Sequence, residues 1–351
     1  MLLKLTSILL YALTGFFLAL ALYPSYILLL KKFKAGKQIR NESVTGDKAT
    51  IFSKLHGHKS GTPSMGGGIF LIVTLLLVLL PLGIQQAWLT NNSLITRQET
   101  YIILFAFFSM WSLGLVDDWL NILGKTWIKG MTAKMKLIWM CLFAAFISYR
   151  FFVRLGVDSV NLWPIAGEVH LGRVMPILTF LLTLTIVNAI NITDGLDGLA
   201  GGLLLIILSV IGIITFISWW YIATTLIGVV IGCLLAFLRF NIHPAKIFMG
   251  DSWALALWWL LSSLVYLLNI RFGILVPFLV LMIIFRGEVW SSFFQILRKK
   301  LFKKKLFIVA PAHHLLEYKG YPESTIVMKL RVIQGLLAAI ALIGILYQLQ
   351  V

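Results

Sequence analysis

The chain has 351 residues, of which 60% are hydrophobic and only 12% charged, and a mean hydropathy of +0.95. Soluble globular domains carry about 25% charged residues, so an ordinary soluble enzyme is excluded and a polytopic membrane protein is indicated. The net charge of +17 does not read as nucleic-acid binding, because the aromatic residues sit within apolar runs rather than interleaving with the basic clusters.

In chain order, apolar runs of about 17–25 residues mark ten expected membrane helices. They cover residues 3–30, 66–84, 101–116, 135–152, 174–190, 199–214, 219–238, 253–268, 272–297 and 327–348. Ala19-Leu20-Ala21 mimics a signal-peptidase site, but the uncharged run from 5 to 30 is too long for a signal core and reads as an uncleaved first helix. The stretch 199–238 is too long for one crossing, so a tight re-entry is expected at Thr215-Phe216-Ile217-Ser218. Cys141 and Cys233 lie inside apolar runs with no CxxC or Cys/His neighbour. They are expected to be buried small hydrophobes, not a disulfide or a zinc site.

Loops 31–65, 117–134, 191–198, 239–252 and 298–326 together carry twenty Lys and Arg, and the opposite loops carry four. The positive-inside rule puts the first set in the cytoplasm and both termini outside. The net positive charge follows from this bias, together with attraction to anionic headgroups. All five polar constellations of the chain lie in that basic set.

The first constellation is Lys59-Ser60-Gly61-Thr62-Pro63-Ser64-Met65-Gly66-Gly67-Gly68. It is either a backbone cradle for an anion at a helix entrance or a flexible loop with glycines for close packing. The lysines before it, from Lys31 to Lys37, read as a juxtamembrane anchor. In the second, Asp117 and Asp118 are adjacent at a helix end, where a shared cation or proton would relieve their repulsion. Neighbours on a helix point about 100° apart, so the two are expected to do different jobs. Lys125, Lys129 and Lys134 follow, either as positive-inside residues or as a second phosphate contact.

The third constellation, from Asn188 to Ala200, is the densest, holding Asn191, Asp194, Gly195, Leu196 and Asp197. An Asp at a helix centre in a bilayer costs roughly 2.5–3.5 kcal/mol, so carboxylates kept beside apolar helices point to use. Oxygen ligands of this kind suit Mg²⁺ or the polar groups of a sugar and base, and no Lys or Arg is near in sequence to pair with them. The fourth runs from Phe240-Asn241 through Phe248 to Gly250-Asp251, where Asp251 is either a ligand or a plain helix cap. The fifth is the basic run 298–305, read as a surface anchor, followed by His313-His314-Leu315-Leu316-Glu317. Paired His beside Glu can bind a metal, act as acid and base, or contact a phosphate.

Together these motifs resemble the polyprenyl-phosphate N-acetylhexosamine-1-phosphate transferase superfamily, and most closely its muramoyl-pentapeptide branch. The resemblance covers nearly the whole chain. It rests on Lys59 to Gly67, Val116-Asp117-Asp118, Asn188 to Ala200, Phe240-Asn241 through Gly250-Asp251, and His313-His314 with Glu317, Lys319-Gly320 and Pro322-Glu323, with Gln38-Ile39-Arg40 upstream. It implies an all-α bundle of ten helices as one domain over 1–351, with a cytoplasmic-face cleft, in a bacterial inner membrane. The implied reaction moves phospho-N-acetylmuramoyl-pentapeptide from its UDP carrier to undecaprenyl phosphate, giving lipid I and UMP, with Mg²⁺ as cofactor. A homodimer is implied as well, and no nucleic-acid partner.

The resemblance also implies roles. Asp251 would be the Mg²⁺ ligand, and Asp117 and Asp118 the catalytic pair, one of them a base toward the lipid phosphate. Asp194 would lie beside them, Lys59 would contact phosphate, and His313 completes the catalytic candidates. Gly195, Leu196, Asp197 and Phe248 would form the uridine pocket, with Asn191, Asn241 and His314 around the nucleotide, pyrophosphate and sugar. Ser64 and Lys134 complete the substrate-binding candidates. The chain departs from the family at Leu315, where a third His is usual, and at Trp253, Trp258 and Trp259, where small residues are usual. Two other readings follow from the residues. One is a sister enzyme using UDP-N-acetylglucosamine; the other is a cation-coupled transporter, which would place such carboxylates at midspan in broken helices.

Overall fold

The computed structural model describes residues 2–33, 35–36, 57–86, 98–123 and 131–349, some of them by backbone alone. Gln38, Ile39, Arg40, Lys125 and Lys129 lie outside the described residues. Among the described residues twelve α-helices dominate: α1 (Leu2–Lys32), α2 (Gly67–Gln86), α3 (Gln98–Leu123), α4 (Ala133–Leu155), α5 (Met175–Thr193), α6 (Leu199–Ile217), α7 (Tyr221–Asn241), α8 (Asp251–Phe272), α9 (Leu275–Leu281), α10 (Ile283–Phe302), α11 (Ala312–Tyr318) and α12 (Glu323–Leu349). Seven of these are long and apolar enough to cross a membrane, or eight crossings if the bent pair α9–α10 counts as one.

The bundle is all-α, as expected, apart from one short hairpin. The segment before α5 carries a small antiparallel hairpin, β1 (Ser159–Asn161) against β2 (Glu168–His170), with Val160 opposite Val169. Val160 alone of the first strand is buried, while its neighbours turn outward, the alternation of a strand with one covered face.

The centre of the bundle is α8. It is buried without interruption from Ser252 to Asn269, as a helix apolar on all sides must be. Trp253 packs between Phe70, at 4.0 Å between ring centroids, and Phe237, at 5.0 Å; Trp258 meets the Phe285 ring edge-on. These large rings fill the core where relatives of the superfamily were expected to carry small residues. Close approach is provided instead by Gly114 of α3, which lies against the first turn of α8: a Cβ there would meet the Asp251 carbonyl oxygen at 2.7 Å. This contact lays the C-terminal half of α3, with Asp117 and Asp118, against the start of α8.

The outer helices show one buried stripe each. In α1 the buried residues are Ile8, Gly15, Ala19, Tyr23, Ile27 and Leu30, spaced seven and then three or four apart, and the stripe faces α7. The remaining apolar faces are exposed, as lipid-facing surfaces are.

Two boundaries differ from expectation. The re-entry between α6 and α7 falls at Ser218, Trp219 and Trp220, with Trp219 in the left-handed region at φ +59°. The expected straight span over 272–297 is instead two helices that break at Met282 and bend by 69°. Arg286 and Glu288 sit just past the break, charges that a straight span would have carried into the apolar layer. Cys233 is buried as expected, whereas Cys141 is only half-buried; both are free thiols.

Candidate active site

Three carboxylates from two helices converge at the start of α8. One oxygen from each of Asp117, Asp118 and Asp251 lies within 4.8 Å of the others. Asp117 and Asp118 are buried, 1% and 6% exposed, deep enough that uncompensated charge would be costly. Adjacent side chains on α3 diverge, and the two have different partners. Asp117 Oδ2 is 2.6 Å from Lys136 Nζ, and its Oδ1 accepts the Met131 amide at 3.2 Å. Asp118 accepts the amides of Asp251 at 3.2 Å and Ser252 at 3.0 Å, so it caps α8 from another helix. Gly250, at φ +80°, is the N-cap residue of α8, and Asp251 is its first helical residue rather than its own cap. Lys136 also pairs with Asp251, so its ammonium bridges α3 and α8 from the second turn of α4.

The backbone around Gly250 is fixed by the first polar loop. Gly66 N donates to the Phe248 carbonyl at 2.9 Å, Gly67 N to Met249 at 3.1 Å, and Phe248 N to Pro63 at 2.8 Å. The 63–67 and 248–250 segments therefore run as a paired strip under the carboxylates. Met65 holds φ +80° there, with its carbonyl taken by the Tyr26 hydroxyl at 3.0 Å and the next one by Tyr23 at 2.9 Å. A non-glycine residue in that conformation stores strain, which the buried Tyr23 and the half-buried Tyr26 of α1 hold in place.

A second cluster sits where the same loop begins. Lys59 Nζ lies 2.7 Å from Asp197 Oδ1 and 2.6 Å from Glu323 Oε1. Asp197 Oδ2 faces His243 Nδ1 at 3.0 Å and accepts the Ala245 amide at 3.0 Å. The Asp197 amide donates to Glu323, which joins α12 to the 194–198 turn. Burial alone would push the Asp197 carboxyl up, but the Lys59 ammonium with the Ala245 and His243 donors outweighs it and holds the group below the usual carboxylate range. Asn241 stitches the turn to the fourth loop: it accepts Gly198 N at 3.0 Å and donates to the Ile247 carbonyl at 2.9 Å. Arg331 of α12 donates to the Gly198 carbonyl at 2.6 Å.

The two histidines of α11 point at that turn. His313 is fully buried; its Nδ1 lies 3.0 Å from Glu288 Oε2, which also accepts the His313 amide at 3.3 Å. His314 Nδ1 lies 2.6 Å from Glu317 Oε2. A carboxylate can only accept, so each Nδ1 carries a proton and each Nε2 is turned the other way. His313 Nε2 has no hydrogen-bond partner among the described residues, and a Cβ at Gly195 would overlap it. His314 Nε2 would meet the same Cβ at 3.1 Å. Gly195 thus leaves two ring nitrogens an open approach to the turn.

Of the residues expected from sequence, the structure gathers Asp117, Asp118 and Asp251 in one cluster. Lys59, Asp197 and Asn241 gather in the other, with His313 and His314 facing Gly195. Phe248 and Ser64 lie on the paired strip, half-buried, and Ser64 N donates to Ala35 at 3.1 Å. Leu196 is buried in the turn and Asn191 is exposed on the last turn of α5. Asp194 closes α5 as its C-cap residue; α5 ends there, so Asp194 and Asp197 do not share a helical face.

Lys134 is exposed; Lys136, two residues on, is the lysine that meets the carboxylates. Lys59 is held in ion pairs with Asp197 and Glu323. Asp197 does have a basic partner, 138 residues away in sequence. Lys136, Glu288, Glu323, His243 and Arg331 were missed as site residues. Glu288 and Arg331 are detectable as charges within expected spans, each two residues from another charge, and Glu323 lies in the Pro322-Glu323 motif.

The donor set of the first cluster fits a divalent cation. Three carboxylates against one ammonium leave two formal negative charges, and hard oxygen ligands suit Mg²⁺. The second cluster sets two carboxylates against Lys59 and leaves one formal negative charge.

Residues 100–269, which hold all three carboxylates and the 194–198 turn, match the family model described as "Glycosyl transferase family 4". Curated relatives resemble the chain along nearly its full length. The phospho-N-acetylmuramoyl-pentapeptide-transferase of Clostridium novyi is 30% identical over 348 residues, 97% of this chain and 98% of the relative. That of Petrotoga mobilis is 33% identical over 94% of this chain and 96% of the relative. That of Clostridium acetobutylicum is 29% identical, covering 92% and 94%. With likeness of this extent over nearly the whole length, the chain belongs to the phospho-N-acetylmuramoyl-pentapeptide transferase family of glycosyl transferases.

Proposed function

We propose that the chain transfers phospho-N-acetylmuramoyl-pentapeptide from a UDP carrier to a polyprenyl phosphate, undecaprenyl phosphate in the bacterial cell, releasing UMP. The observation that carries the site assignment is the convergence of Asp117, Asp118 and Asp251 around Lys136 at the start of α8. An oxygen of the lipid phosphate attacks the sugar-bearing phosphorus, the bond to the UMP oxygen breaks, and one pyrophosphate linkage replaces another. The reaction is nearly balanced in free energy, so the protein's task is to hold two anionic reactants together and to screen their charge.

Asp117, Asp118 and Asp251 are the residues that would hold Mg²⁺. When bound, the ion supplies positive charge against the phosphate oxygens. Lys136 adds a fixed positive charge beside the carboxylates and holds Asp117 and Asp251 in register. Asp118, through two amides, fixes where the start of α8 presents Asp251. The 194–198 turn, the Phe248 ring and Asn241 are the nucleotide-binding surface, and His313 and His314 present Nε2 toward it across Gly195. Lys59 orders this surface through Asp197 and Glu323.

Ten crossings, made of the seven helices long enough by themselves with α2, α3 and the bent pair α9–α10, would put every one of these groups on one side. The lysine-rich loops make that side the cytoplasm. The polyprenyl chain lies in a lipid-facing groove.

The test is transfer of labelled UDP-N-acetylmuramoyl-pentapeptide onto undecaprenyl phosphate by the purified chain, with Mg²⁺ and with EDTA, and with UDP-N-acetylglucosamine as competitor. Mg²⁺-dependent lipid product and UMP from the muramoyl donor are expected. Product from UDP-N-acetylglucosamine alone would assign the donor to the sister enzyme and tie Leu315 to that choice.

A further inference from the structure

The second half of α10 does not behave as the end of a membrane span. After the 69° bend at Met282 the helix carries two different faces. Glu288, Ser291 and Gln295, spaced three and four apart, hold the returning chain. Glu288 accepts from His313, Ser291 Oγ accepts the Ala312 amide at 3.1 Å, and Gln295 Oε1 accepts the Leu306 and Phe307 amides at 2.9 and 2.8 Å. Gln295 Nε2 donates to the Phe307 carbonyl at 2.9 Å, so segment 306–313 is clipped along this face.

The opposite face is apolar and uncovered. Trp290, Phe294, Leu297 and Leu301 follow one another at four, three and four residues, which puts them on one stripe, and all are exposed. Trp290 stacks on Phe294 at 5.4 Å, with Phe293 edge-on to both. Exposed cations flank this stripe. Arg298 and Lys300 fall on either side of it, and Lys303, Lys304 and Lys305 follow at its end. From 289 to 311 there is no acidic residue.

We propose that this half of α10 is an in-plane membrane element that selects anionic bilayer lipid. Its stripe seats among the acyl chains, and Arg298, Lys300 and Lys303 to Lys305 hold the phosphodiester headgroups. An apolar stripe bordered on both sides by cations with no anion among them is the pattern of an interfacial helix. Each cation near an anionic surface strengthens binding about fivefold. Trp290 marks the depth at which such an amphipathic ring settles. Because the reverse face of the same helix holds Glu288 against His313, lipid bound at the stripe steadies the helix that positions the histidine.

The experiment reads lipid directly, so it stands apart from the donor and acceptor assignment. The full chain is reconstituted in phosphatidylcholine nanodiscs with graded phosphatidylglycerol, and the retained lipids are weighed by native mass spectrometry after detergent extraction. The unaltered chain is expected to enrich phosphatidylglycerol over phosphatidylcholine, and the enrichment is expected to fade between 0.05 and 0.5 M salt. The K303Q/K304Q/K305Q variant should lose at least tenfold of that preference while its melting temperature holds. The K303R/K304R/K305R variant should keep the preference. Enrichment within twofold of the unaltered chain in the Gln variant would overturn the proposal, as would enrichment indifferent to salt. A third result would also overturn it: unchanged phosphatidylglycerol retention with a raised KM for undecaprenyl phosphate, which would assign the cations to the acceptor instead. The salt dependence of the unaltered chain remains decisive if the Gln variant does not fold.

Discussion

Lys136 stands between Asp117 and Asp251, its Nζ 2.6 Å from Asp117 Oδ2 and paired with the Asp251 carboxylate on α8. Lys134, two residues earlier on α4, is exposed. The two lysines therefore make a matched pair of tests. Lys136→Met leaves three carboxylates with no fixed cation, and transfer is expected to fall about a hundredfold, the scale at which an outer partner of a charged site acts. Lys134→Met should stay within about twofold of the unaltered rate. Initial rates of both variants under one set of conditions decide it; equal losses would remove Lys136 from the site.

The ion pair of Lys59 with Asp197 has a sign that pH reveals. The Asp197 carboxyl titrates below its ordinary 3.8 when folded, so its contribution to stability is complete above that value and is lost as pH falls through the folded one. Between pH 7 and pH 5 this carboxylate gives the unaltered chain no acid sensitivity. In Lys59→Met the cation is gone, burial dominates, and the folded carboxyl rises above its unfolded value. The buried charge then destabilises at pH 7, and acidification relieves it. Midpoints of thermal unfolding at pH 7 and 5, compared with Asp197→Asn in the Lys59→Met background, test this. The single variant should gain midpoint on acidification and the double variant should not; a gain in both would place the effect on His243 or Glu323.

These two clusters also show what the sequence could and could not tell. Asp117, Asp118 and Asp251 were readable because a carboxylate at the edge of an apolar run is costly and stands out. Nine of the ten expected runs appear as helices for the same reason: period and length are local properties. Partners were not readable. Lys59 meets Asp197 across 138 residues and Glu323 across 264, and nothing local distinguishes Lys136 from Lys134. The break at Met282 escaped because Leu275–Leu281 and the residues after it form one apolar run, and only the pull of Glu288 toward His313 marks where the helix turns.

Glu288 has the most exacting position of the missed residues. It is 4% exposed, and one of its oxygens takes both the ring and the backbone N–H of His313. Glu288→Gln can still accept one of these bonds but brings no charge to hold the Nδ1 proton, so transfer should drop roughly tenfold to a hundredfold. Glu288→Ala leaves the buried ring without an acceptor and should lose more, together with stability. Rates and melting temperature measured together separate the two effects. A Gln variant with full activity would reduce Glu288 to a packing residue.

Trp253 sits one turn from the carboxylates, yet its environment is wholly apolar. The ring is fully buried between Phe70 and Phe237, on the helix whose N-terminus carries Asp251. Truncation to Ala opens a cavity that neighbouring rings cannot close, at a cost of about 3–5 kcal/mol. The chemistry should survive where the protein stays folded, because no polar group of the site bonds to the indole: its Nε1 is buried without a partner among the described residues. Trp253→Phe keeps most of the volume and should recover most of the stability. The expected result is a graded loss of melting temperature from Trp to Phe to Ala, with an unchanged ratio of rates for UDP-N-acetylmuramoyl-pentapeptide and UDP-N-acetylglucosamine. A changed ratio would show that the indole reaches the donor, and would make the large residue at this position part of donor selection rather than of the core.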